Sequence, residues 1–244
     1  MHPSLRTLAH RPWPLPSGSW TWQQSWLDLA FLHYAVAPAP LGARLPPGLN
    51  LELFNGHAWI GVVPFRMAGV APRAVAPLPL MPSFLELNVR TYVEADGRPG
   101  VWFFSLDAES RTIVFGGRRF YGLPYHFARM QLQRHDGWFN FSSVRADDHT
   151  AFRARYLPTG PTFVASPGTF AHWATERYCL YSAPTATGLT RVEIHHAPWP
   201  LQPAVAEGDP RLLFAGSGLA AAGPDPIVHF SPGVQVVSYA PQRV

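Results

Sequence analysis

The sequence contains no lysine: all nineteen of its basic residues are arginine. That absence excludes every mechanism that needs a lysine amine, Schiff-base formation with a carbonyl substrate among them. Cysteine is nearly as scarce, with Cys179 alone. One thiol cannot close an intrachain disulfide and suits a reducing compartment, and in an apolar strand it reads as a packing residue. Charge is also sparse, at 14% of residues against 47% hydrophobic, which is a globular rather than a disordered composition. No apolar run reaches the length of a membrane span, and the most apolar candidate, Leu212 to Ala222, is broken by glycines. The first twenty residues lack the apolar stretch of a signal peptide. The expectation is a cytoplasmic protein without a membrane partner.

Other absences narrow the chemistry. The formal charge is +4, but the arginines are scattered and only Arg118 and Arg119 adjoin, so no basic patch suits a phosphate backbone and no nucleic-acid partner is expected. Eleven histidines form no His-Glu-x-x-His, and adjacent His195 and His196 leave a strand on opposite faces, so no metal is expected. There is no Gly-x-Ser-x-Gly nucleophile elbow. Gly116-Gly117 is followed by arginines instead of a phosphate-binding fingerprint, and no cofactor is expected.

What the chain does have is punctuation. Its 27 prolines and 20 glycines favour many short strands over long helices. Residues 1–19 read as an extended Pro- and Trp-rich arm, suited to covering a core or a neighbouring subunit in a homo-oligomer, and residues 20–244 as one domain. Asn55-Gly56, Asp96-Gly97 and Asp136-Gly137 predict hairpins, because both central positions of a type I′ turn need positive φ. Short helices are expected near Ala39 to Leu45, Glu109 to Phe115 and Thr169 to Glu176, the last capped by Ser166. Residues 68–83 read as a loop able to cover a pocket, and Ser231-Pro232-Gly233 as the turn of a last hairpin.

Two stretches carry chemistry. From Phe84 to Val93 the residues alternate, with Leu85, Leu87, Val89, Thr91 and Val93 on one face and Glu86, Asn88, Arg90 and Tyr92 on the other. The second face is either a solvated sheet surface or the wall of a polar pocket. Gly116 to Met130 then combines two arginines with a Gly122-Leu123-Pro124 turn that launches a strand at Tyr125. Alternation puts Tyr125 and Arg129 on one face of that strand and His126 on the other. One β-bulge would reverse this assignment.

Five segments resemble the YqjF-like uncharacterised bacterial family, domain of unknown function 2071. They are Pro46-Pro47-Gly48-Leu49, Trp59 to Met67, Glu86 to Val93, Gly100 to Asp107 and Glu193-Ile194-His195-His196. The resemblance spans roughly residues 20–205. That family is distantly similar to acetoacetate decarboxylase, which implies an α+β, mainly β fold: a bent antiparallel β-cone enclosing a small-molecule pocket. The decarboxylase carries two lysines after its Gly-x-Pro turn, and here those positions fall on Tyr125 and His126. Its pocket glutamate precedes the lysine by a stretch similar to the 39 residues from Glu86 to Tyr125.

The resemblance implies a cavity lined by Glu86, Asn88, Arg90 and Tyr92, with Tyr125 and Arg129 beside them and Arg118, Tyr121 and His126 completing the binding set. Glu86 would be an acid or base and Tyr125 a hydroxyl donor to a developing oxyanion. Arg90 or Arg129 would anchor an anionic small-molecule ligand. Two functions follow: an enzyme acting without a Schiff base on a small carbonyl or carboxylate compound, or a non-catalytic binding protein that kept the cavity and lost the lysine.

Overall fold

Asn55, Asp96 and Asp136 adopt φ of 50°, 51° and 48°, and the glycine after each is also at positive φ. Asp96-Gly97 and Asp136-Gly137 therefore turn hairpins as read, whereas the turn at Asn55-Gly56 closes only a single bridge between Phe54 and His57, because Asn50 and Leu51 before it pair with Glu94 and Val93 instead. The structure, a computed structural model, describes residues 2–75, 81–184, 188–210, 213–214 and 225–244.

The strands are β1 (Trp22–Val36), β2 (Asn50–Leu51), β3 (Ala58–Pro72), β4 (Phe84–Ala95), β5 (Arg98–Ala108), β6 (Tyr125–His135), β7 (Trp138–Arg145), β8 (Ala151–Pro158), β9 (Cys179–Ser182), β10 (Thr190–His196), β11 (Gln202–Gly208), β12 (Ile227–Ser238) and β13 (Gln242–Arg243). The helices α1 (Pro38–Gly42), α2 (Arg111–Tyr121) and α3 (Phe170–Thr175) are short. The expected mainly β, α+β class holds.

Strands β12, β1, β3, β4 and β5 form a wall whose edges meet other strands twice. Through β6, β7, β8 and β11 the wall closes into a nine-strand barrel, and through β9 and β10 it closes a shorter circuit of seven. Pairing is antiparallel except where β5 meets β6 and β9 in parallel. Both faces of the wall are buried, and alternation sends neighbouring residues into different cores. Ala30, Leu32, Ile60, Val62, Leu87 and Val89 pack inside the nine-strand barrel with Phe139, Phe141 and Tyr156. Leu29, Phe31, Val63, Phe65, Phe103 and Val236 pack on the other side, beneath β10 and Trp199.

Several readings are corrected. Ser231-Pro232-Gly233 is no turn: β12 runs straight through it, with Leu27 opposite Gly233 and Leu29 opposite Ser231. Pro232, lacking an N–H, falls opposite Asp28, and a Cβ on Gly233 would lie 2.2 Å from the Trp26 carbonyl oxygen. The loop expected over 68–83 begins later, because β3 continues to Pro72; residues 76–80 lie outside the described residues. So does the apolar run Leu212 to Ala222, apart from Leu213 and Phe214. Helix α3 is capped by the Thr169 side chain rather than Ser166. Among the described residues no helix is long and apolar enough to cross a membrane.

The N-terminal arm packs on its own chain. After one 3-10 turn at Pro3–Arg6 it crosses β10, where the Ser4 carbonyl bonds His195 Nε2 at 2.9 Å. Arg11 donates to the Ile194 carbonyl at 2.6 Å and to Glu193 at 2.5 Å. His33 is fully buried in the core, and its Nε2 meets the Tyr92 hydroxyl at 2.6 Å.

Candidate functional site

Glu86, Asn88 and Arg90 are successive residues on the face of β4 turned away from the nine-strand barrel. They line a cavity of about 370 Å³ together with Tyr121 and Tyr125. The expected polar pocket is in fact mainly apolar: Trp26, Phe31, Phe65, Phe103 and Trp199 supply much of the wall, and the polar groups stand in a row along one strand. This is the usual constitution of a small-molecule site, in which an apolar envelope surrounds a few fixed polar groups. The end beneath α2 is the open one, since Phe115 and Phe120 line it while 66% and 67% exposed. Arg90 marks the buried end, near Thr175 and Arg177.

Glu86 is 2% exposed and has no cation beside it among the described residues. Its carboxyl oxygens lie 3.3 and 3.4 Å from the Tyr125 hydroxyl, long for an O–H···O bond. Burial pushes the Glu86 carboxyl up to about 8, against the pull of hydrogen bonds from Tyr125 and Asn88 and helped by the charge of Asp107. Burial and the adjacent carboxyl hold the Tyr125 hydroxyl well above the usual phenol range. Both groups therefore keep their protons at neutral pH, and the pair offers two O–H donors.

Tyr125 is held from three sides. β6 begins at Tyr125 and pairs with Leu106 of β5. Arg118 Nε bonds the Tyr125 carbonyl. Above the ring passes α2, close enough that a Cβ on Gly117 would lie 2.4 Å from a ring carbon. Gly116-Gly117 is the middle of a helix, its second glycine required by the approach of Tyr125. The turn comes at Gly122, whose φ of 61° caps α2.

Arg90 is 9% exposed and makes no ion pair with any described carboxylate. Nη2 donates to the Ala174 carbonyl at 3.2 Å, and Nε is buried without a hydrogen-bond partner among the described residues. The guanidinium carbon lies 5.6 Å from the centre of the Phe31 ring and 5.7 Å from that of Tyr92. Its cross-strand neighbour is Gly61, where a Cβ would meet the Arg90 Cγ at 3.4 Å and the Tyr92 hydroxyl at 3.2 Å. Glycine thus leaves room for the guanidinium over β3. Arg177 also lines this end but is paired with Glu52.

Four residues assigned to the ligand from sequence stand elsewhere. Tyr92 shares the cavity-facing side of β4 but lies behind the cavity, its hydroxyl engaged by His33 and its ring 4.4 Å from that of Trp173. Arg118 sits on the outer face of α2, exposed, and serves the Tyr125 backbone. His126 points outward to Asp147 at 2.7 Å. Arg129 is on the same face as Tyr125, but the β5–β6 ladder ends at Phe127, and beyond it that face is uncovered and Arg129 is exposed. Arg177, His196 and Trp199 line the cavity and were not anticipated. Arg177 and Trp199 come from connecting segments, where no alternation marks an inward side chain. Among the described residues no cluster of His, Cys, Asp or Glu is placed to hold a metal ion.

Residues 23–235 match the profile of the family DUF2071, described as an uncharacterised conserved protein. The uncharacterised protein YqjF of Bacillus subtilis (strain 168) is 38% identical over 218 residues, covering 89% of this chain and 90% of its own length. Among solved structures, acetoacetate decarboxylase from Legionella pneumophila superposes with a TM-score of 0.64 at 15% identity, covering 95% of this chain and 90% of that one. The enduracididine biosynthesis enzyme MppR complexed with pyruvate gives 0.67 at 15% identity, over 96% and 93%. An acetoacetate decarboxylase-like enzyme from Sphingomonas wittichii RW1 gives 0.60 at 16%, over 96% and 97%. The fold is that of the acetoacetate decarboxylases.

Proposed function

Because the chain belongs to the DUF2071 family of uncharacterised conserved proteins, we propose that it binds a small carbonyl or carboxylate compound without covalent attachment, and that Glu86 and Tyr125 act on the bound carbonyl. The observation that carries this reading is the Glu86–Tyr125 pair. A buried carboxyl without a cation is costly, and a hydrocarbon side chain would fill the same space with less loss. Held neutral, Glu86 gains an O–H to donate. With Tyr125 it presents two O–H donors to a carbonyl oxygen, the arrangement that stabilises negative charge developing there.

As charge grows on that oxygen, the proton on Glu86 is the one placed for transfer, so Glu86 acts as a general acid. Arg90 anchors a carboxylate, by two parallel N–H···O bonds where the geometry allows. The neighbouring enzyme bound to pyruvate and the acetoacetate decarboxylases of the same fold support a carbonyl acid as the ligand class. No step passes through an imine, since the chain has no lysine. The missing lysine also favours a second reading, a binding protein without turnover.

The test is a panel of oxo acids screened by thermal shift, with each hit followed by NMR for turnover in the wild type and in Glu86→Gln. Turnover in the wild type that the variant loses supports the enzyme. Binding without turnover in either supports the binding protein. Failure of the whole panel to bind contradicts both. Borohydride trapping is expected to give no covalent adduct in the cavity.

A further inference from the structure

We infer that the ligand is an elongated monocarboxylate, its carboxylate on Arg90 and a carbonyl oxygen about five carbon–carbon bonds away at Glu86 and Tyr125. This rests on the reading above and adds the ligand's length, polarity and direction. Three observations carry it.

The first is spacing. β4 is regular between the two groups: Glu86, Asn88 and Arg90 pair in unbroken register with Phe65, Val63 and Gly61 of β3. The one irregularity nearby leaves Phe104 of β5 unpaired and adds nothing to β4. At about 3.3 Å per residue the Cα atoms of Glu86 and Arg90 stand about 13 Å apart, and side chains on one face of a strand rise roughly perpendicular to the sheet; Arg90 keeps its Cγ and Nε over Gly61, directly across from it, so the polar ends hold about that separation. A hydrogen bond of about 2.9 Å at each end leaves roughly 7 Å for the ligand between its polar ends. An extended carbon chain with bonds of about 1.5 Å rises roughly 1.3 Å per bond and needs about five bonds to cover that span. A short oxo acid reaches one polar end or the other, but not both.

The second observation is the wall between. Apart from Asn88, midway along the strand, that wall is apolar, and a chain of methylenes matches Val63, Phe65, Phe103 and Trp199. The third is charge. The Arg90 end has a guanidinium with no carboxylate partner among the described residues, whereas the Glu86 end holds a neutral acid and a phenol. One end takes an anion and the other takes a neutral oxygen. A dicarboxylate of the same length would bring a second charge to the end that has no cation.

The experiment is isothermal titration calorimetry at pH 7 on the whole chain with 4-oxopentanoate, 6-oxoheptanoate, 9-oxodecanoate and heptanedioate. Affinity is expected to peak at 6-oxoheptanoate, at least about tenfold above 4-oxopentanoate and above heptanedioate. Arg90→Gln is expected to weaken 6-oxoheptanoate by about tenfold or more while leaving the neutral ketone 2-heptanone unchanged, which also shows that the variant cavity is intact. Affinity that keeps rising to 9-oxodecanoate would mean simple apolar partition and would overturn the inference. If 4-oxopentanoate binds as tightly as 6-oxoheptanoate and still depends on Arg90, the spacing argument falls while the cavity reading stands. If no oxo acid binds the wild type, both fall.

Discussion

Two glutamates are equally buried here and are treated in opposite ways. Glu193, on β10, is 3% exposed and is met by Arg11 of the N-terminal arm, by Arg98 and by Arg191 at 3.7 Å, with the Trp13 indole N–H at 3.0 Å. Glu86, on β4, is 2% exposed and has a phenol and an amide for company. One carboxyl is a fastening: it ties the arm to the barrel through charge. The other is left neutral against a cavity. Where the buried acid holds structure together, the sequence supplies its cations; at Glu86 it supplies none.

The comparison can be broken at several strengths. The largest effect is expected at Glu193→Gln, which strands three arginines around a neutral amide. Breaking such a buried pair costs about 3–5 kcal/mol, read by urea denaturation, with earlier proteolysis of the arm. A loss under about 1 kcal/mol would mean that the two glutamates do not differ in kind.

Glu86 should show itself through pH. The unfolded chain gives up this proton near 4.5 while the folded protein keeps it to about 8, so stability falls as pH rises through that window. Glu86→Gln is expected to remove this slope and to be the more stable protein at pH 8, by an amount on the order of a few kcal/mol. Parallel melting-temperature profiles for the two proteins from pH 5 to 8 would deny the raised carboxyl.

Gly117→Ala comes next. Its Cβ would meet the Tyr125 ring, so the helix or the ring must move, at about 1–3 kcal/mol and with weakened binding of any ligand held by the pair. Arg129→Gln gives the smallest effect, within about 0.5 kcal/mol and with affinity unchanged, because Arg129 is exposed beyond the covered part of β6. Loss of ligand in that variant would return Arg129 to the site.

Much of the site was legible in the residues. Strict alternation from Phe84 to Val93 separates Leu87 and Val89 from Glu86, Asn88 and Arg90, and the two sets do enter different cores. Asx-Gly pairs place the turns because few other residues tolerate two successive positive φ values. Glycine elsewhere misleads, since at Gly117 it serves the approach of an aromatic ring and at Gly233 the approach of a carbonyl, and local propensity reports neither. Alternation also gives the face of a side chain without saying whether that face is covered. Tyr92 lies too deep and Arg129 too far along its strand, although both have the right parity. The counter-charges of Glu193 come from Arg11 and Arg98, far away in sequence, so the contrast between the two glutamates becomes visible only in the fold.

The most direct test is an NMR titration of the Glu86 carboxyl in protein labelled with carboxyl-¹³C glutamate, assigned by the loss of its resonance in Glu86→Gln. A midpoint near 8 is the predicted result. A midpoint in the ordinary carboxylate range, near 4.5, would show that water or a cation reaches Glu86 and would contradict the site as described.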